Sequence, residues 1–211
     1  MSVDKYHFTK QFSFKNIETI RDEGVALLDI FEENEDKVYG IDFLPKAMMN
    51  AYIYDSYFNV YYRSKQKEAI AAHKVYEERF LKVILTIMGY SHDTYVESDT
   101  LLKKHGTDIM AIPADAMGNV HLAKPRKNWR YFYRRFRNEK PEKQIDLLSL
   151  FQQAFRDYTD VVIYLCDLQI ILFFSDLYVV CLIENEESRE FLEHICTTEG
   201  LYLRSQITEI S

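Results

Sequence analysis

The sequence predicts an α+β protein, a helical N-terminal half packed with a C-terminal antiparallel sheet of β-β-β-α-β order. Two observations predict it. Apolar residues recur at helical spacing through much of the first hundred positions. Three β-rich runs then follow one another closely, Val161–Leu165, Gln169–Phe174 and Leu177–Ile183, with a helix-like and a strand-like stretch after them. No Pro/Gly/Ser-rich stretch separates the two halves, so residues 1–211 are expected to form a single domain. Within it, 1–106 reads as mainly helical and 107–211 as α+β, with the three-strand meander at 161–183.

Taken in order, the first ten residues read as a lead-in or an edge strand. From Asn16 to about Glu33, Ile17, Ile20, Leu27, Leu28 and Phe31 lie at helical spacing, with Ser13 available as a cap. Lys37–Leu44 carries Val38, Ile41 and Phe43 and reads as a short extended stretch. Pro45 suits the first turn of a helix reaching about Arg63. Ala69, Ala72, Tyr76, Val83, Ile84 and Ile87 continue the 3.6-residue period until Gly89, a residue suited to stopping it.

The middle of the chain is less regular. Ser98–His105 reads as a short helix, and Asp108–Ile112 and Val120–Ala123 as strands around a turn-like Pro113–Asn119. Gln144–Tyr158 is amphipathic through Ile145, Leu148, Phe151 and Phe155. The β-rich region spans about 23 residues, enough to cross a bilayer if it were one helix. Asp167, Gln169 and Asp176 interrupt it, and each acid at mid-membrane would cost a few kcal/mol. Three strands account for the interruptions without that cost. Glu186–Cys196 reads as a helix and Leu201–Arg204 as a fourth strand.

Composition narrows the function classes. Six glycines and four prolines are about half of average usage, which leaves little material for a phosphate-cradling loop. Neither GxxxxGK[ST] nor GxGxxG nor GxSxG occurs. The three cysteines, Cys166, Cys181 and Cys196, stand fifteen residues apart among apolar neighbours and read as buried free thiols. With no cationic leader and apolar run at the start, the expected location is cytoplasmic, and no transmembrane segment is expected. Ser64–Lys67 matches SxxK but lacks the companion motifs of that chemistry. His73 and Glu77, four apart on a helix, and the pair His92-Asp93 are the only metal-like arrangements. Two ligands do not make a site, so no metal, cofactor or catalytic residue is assigned.

One segment departs from this background. Residues 124–143 carry nine basic side chains and two acidic ones, a local charge of +7 in a chain whose net charge is −7. The other 191 residues therefore sum to −14. If 129–138 is helical, Trp129, Phe132, Tyr133 and Phe136 form one stripe and Arg130, Arg134 and Arg137 an adjacent row. Guanidinium forks suit phosphates and carboxylates alike. Arg126, Lys127, Trp129, Arg130, Tyr131, Arg134, Arg135 and Arg137 are the candidate binding residues.

Three uses compete for this segment: an acidic protein surface, nucleic acid, or pairing with the acidic remainder of the chain. The leading expectation is a non-catalytic macromolecule-binding protein whose partner is a protein with an acidic surface, of the inhibitor, immunity or regulatory kind. Nucleic-acid binding through 124–143 is the alternative. An enzyme whose site is assembled from sequence-distant residues stays open, because a linear reading does not see such sites.

Overall fold

A computed structural model describes residues 6–17, 27–45, 67–105, 107–112 and 147–205. Its centre is the predicted meander, where β4 (Val161–Leu165), β5 (Ile170–Asp176) and β6 (Tyr178–Ile183) pair antiparallel in sequence order. The β4–β5 turn occupies residues 166–169, and Gln169 takes φ 54 there. The break expected at Ser175-Asp176 is an irregularity between Phe174 and Asp176 within the β5–β6 ladder.

The sheet continues on both sides of the meander. β2 (Thr94–Glu97) pairs with β4, and β3 (Ile109–Ile112) pairs with β2. On the other side β1 (Val38–Asp42) pairs with β6, and β7 (Tyr202–Ser205) pairs with β1. The result is a seven-stranded antiparallel sheet of order β3-β2-β4-β5-β6-β1-β7. The fold is therefore α+β as expected. Within the mainly helical first hundred residues, β1 falls in the stretch 37–44 read as extended, whereas β2 is a strand that the helical pattern does not mark.

Alternation along the central strands divides their side chains between two cores. Ile163, Ile170, Leu172, Val179, Cys181 and Ile183 join one, while Tyr164, Ile171 and Leu182 join the other. Strands buried on both faces read as continuous apolar runs, which is why 161–183 resembled a membrane segment. Among the described residues no helix is long and apolar enough to cross a membrane.

The first core is closed by helices. α2 (Lys67–Tyr90) presents Phe80, Leu81, Ile84, Ile87 and Met88 at helical spacing, and Gly89 precedes its last residue. α4 (Leu147–Ala154) contributes Leu147, Leu150 and Phe151, and α5 (Glu186–Thr198) contributes Leu192, Ile195 and Cys196. Asn185 caps α5, its side chain accepting from the Ser188 N–H at 2.9 Å. Gly200, at φ 70, ends it. The Leu201 N–H bonds back to the Cys196 carbonyl and the Gly200 N–H to that of Thr197.

The second core is closed by the N-terminal segment, which differs from its sequence reading. Residues His7–Gln11 form a 3₁₀ turn, and Phe8 is fully buried and stacked on Tyr95 with ring centroids 4.1 Å apart. Phe12, Phe14 and Ile17 follow it into the core, with Ile30 and Phe31 of α1 (Leu27–Glu33). A lead-in needs no large apolar side chains; here four of them cover a sheet face. Asn16 sits in a turn at φ 56, and of the helix expected over 16–33 the described residues show α1 at its C-terminal end. α3 (Asp99–His105) matches its expectation. The expected helix 45–63, strand 120–123 and turn 113–119 lie outside the described residues, apart from Pro45.

Two substitutions test this packing. Phe8→Ala is expected to cost about 3–5 kcal/mol in urea unfolding, the penalty for emptying a buried aromatic site. A loss under 1 kcal/mol would show that the N-terminal segment is peripheral. Gly40 of β1 lies beneath the Tyr178 ring, and a Cβ built there would stand 2.0 Å from the phenol oxygen. Gly40→Ala is expected to destabilise by about 1–3 kcal/mol, with part recovered by adding Tyr178→Ala.

Candidate functional site

The eight candidate binding residues, Arg126 to Arg137, lie outside the described residues. What the structure supplies is the pair of positions flanking them. Ile112, the last residue of β3, and Leu147, the first of α4, both belong to the helix-side core. Ile112 stands in register with Thr94, which is also in register with Leu165, so the chain leaves the sheet at the β4–β5 turn end. The basic run begins twelve residues after one core position and ends four before the other.

The metal-like residues do not converge. α2 places His73 and Glu77 on one buried face, at 2% and 3% exposure. Both Glu77 oxygens accept from Arg156, at 2.6 Å from Nε and 2.7 Å from Nη2. Arg156 comes from the turn after α4, just before Asp157 at φ 57. Burial, followed by the Arg156 charge, pushes His73 down to about 4, so the imidazole is neutral near pH 7. His92-Asp93 follows the far end of α2, about 25 Å away at 1.5 Å per residue. Among the described residues no group of three or more His, Cys, Asp or Glu is placed to hold a metal ion. Ser64 of the SxxK match lies outside the described residues.

Asp93 and its neighbours belong instead to a polar rim at the β4–β5 turn. Gln11 Nε2 donates to Asp93 Oδ2 at 2.7 Å, and the Cys166 N–H donates to the Asp93 carbonyl at 3.0 Å. Asp167 accepts from Ser91 Oγ at 2.5 Å and from the His92 N–H at 2.8 Å. Gln169 Nε2 donates to the carbonyls of both Gln11 and Cys166, each at 2.7 Å. Tyr95 brings its hydroxyl to 3.5 Å from His7 Nε2. Burial, then Asp93, holds that phenol above its ordinary value.

A second cluster lies nearby on the same sheet face. Glu97 of β2 accepts from Tyr6 Oη at 2.7 Å and from Tyr164 Oη at 2.6 Å. Burial raises both phenols, and the Glu97 carboxylate raises them further, so both remain protonated donors. At the opposite edge Asp42 of β1 is fully buried and paired with Arg204 of β7, while accepting the Leu44 N–H at 3.0 Å. Burial outweighs both partners and pushes the Asp42 carboxyl up.

The sequence reading missed all three arrangements, and no local signal marks them. The Tyr6–Glu97 and Glu97–Tyr164 bonds join residues 91 and 67 positions apart. The three cysteines are buried free thiols, as read from their apolar surroundings. Burial pushes Cys166 and Cys196 up to about 12 and raises Cys181 well above the ordinary thiol value, so each remains a thiol. In the described region, then, carboxylates meet phenols, amides and guanidinium groups that join remote segments.

The Glu77–Arg156 pair and His73 yield two measurable consequences. Glu77→Ala leaves a buried guanidinium without its carboxylate and is expected to cost about 3–5 kcal/mol, whereas a Glu77→Leu/Arg156→Leu double variant should cost less than Glu77→Ala alone. For His73, the unfolded chain binds a proton below about pH 6.5 that the folded chain refuses until about pH 4. Its contribution is thus complete above 6.5 and is lost as pH falls through that window, by up to about 3 kcal/mol. Urea titrations at pH 7 and pH 4.5 should show a smaller acid loss in His73→Gln than in the parent; equal losses would contradict the assignment. No protein-family model matches the chain, and no curated protein or solved structure matches it, so any functional reading rests on its own residues.

Proposed function

We propose that this protein is a non-catalytic, cytoplasmic binder of another macromolecule, of the inhibitor, immunity or regulatory kind. In this reading the basic aromatic run 124–143 engages a protein partner through an acidic surface. The observation that carries it is charge segregation. A +7 run of Arg, Lys and aromatic residues stands between two core-anchored positions in a chain whose other residues sum to −14. Arg, Tyr and Trp are the side chains that most often anchor protein interfaces.

The same segregation favours protein over nucleic acid. Duplex DNA carries a charge about every 1.7 Å, so it meets the acidic body as well as the run. Lys143 is only four residues from Leu147, a span of at most about 14 Å. At physiological salt the repulsion from the body acts over about 8 Å and is largely screened beyond it. It therefore bears on a duplex that contacts the body directly and is strongest at low ionic strength. A partner with a confined acidic patch meets the run and avoids the body. The interleaved Trp129, Arg130 and Tyr131 still offer stacking and phosphate contacts, so nucleic acid is the reading to be tested against this one.

The decisive experiment captures partners from a native-host extract on the full chain, with and without nuclease, beside a variant with Arg130, Arg134 and Arg137 changed to Ala. The expected result is a stoichiometric protein retained in both extracts and bound at least about 100-fold more weakly by the variant. Direct titration with mixed DNA and RNA at two salt concentrations completes it. A salt-steep nucleic-acid affinity that the variant loses would replace this reading with the alternative. Retention unchanged in the variant, or no retained protein, would overturn it.

A further inference from the structure

We draw no further inference here: the strongest candidate, the exposed glutamate face of α5 beside Tyr90 and Phe191, is an acidic cluster on a helix surface, and nothing in the structure shows what covers it.

Discussion

The structure depends on a sheet whose three central strands are apolar on both faces. Val161–Leu165, Ile170–Phe174 and Val179–Ile183 leave no face for water, so two covering layers are required. α2, α4 and α5 supply one. The segment from Tyr6 to Ile17 and α1 supply the other. The N-terminus is therefore committed to the sheet by five aromatic and aliphatic anchors, Tyr6, Phe8, Phe12, Phe14 and Ile17. Removing either layer would expose a continuous row of Ile, Val, Phe and Tyr side chains.

Within that frame the buried and half-buried carboxylates act as ties. Glu77 joins α2 to the turn after α4, and Asp42 joins the two strands at one edge of the sheet. Glu97 joins the N-terminal segment to β2 and β4, and Asp93 joins the same segment to the rim. Such groups contribute less through net ion-pair energy than through the penalty for any arrangement that strands them without a donor. Part of the acidic charge of this chain is thus internal acceptor capacity. The rest is displayed, notably along α5, where Arg189 lies between Glu186 and Glu193 with Glu187 and Glu190 exposed.

The proposed use of residues 124–143 fits this division. Their flanks enter a core held by large apolar side chains, and a framework so placed can hold a cationic segment without surrendering its own packing. In that proposal, the −14 carried by the other 191 residues would also set specificity. It would penalise extended polyanions that contact the body more than a partner with a compact acidic surface.

By itself the sequence determined the meander, α2, α3, α4, α5 and β7, because each carries an apolar period or a cap that is local. The buried state of the three cysteines was legible for the same reason, from their apolar neighbours. Tertiary structure alone decided that β1 inserts between β6 and β7 and that β2 extends the meander on its other side. It alone decided that Phe8, Phe12 and Phe14 are core, and that Glu77 answers Arg156 while Glu97 answers two tyrosines. Periodicity reports which side of an element is apolar, and it is blind to which remote element will cover that side. Pairing between residues 67 to 91 positions apart is settled only when the layers meet and bring their buried polar groups within reach of one another.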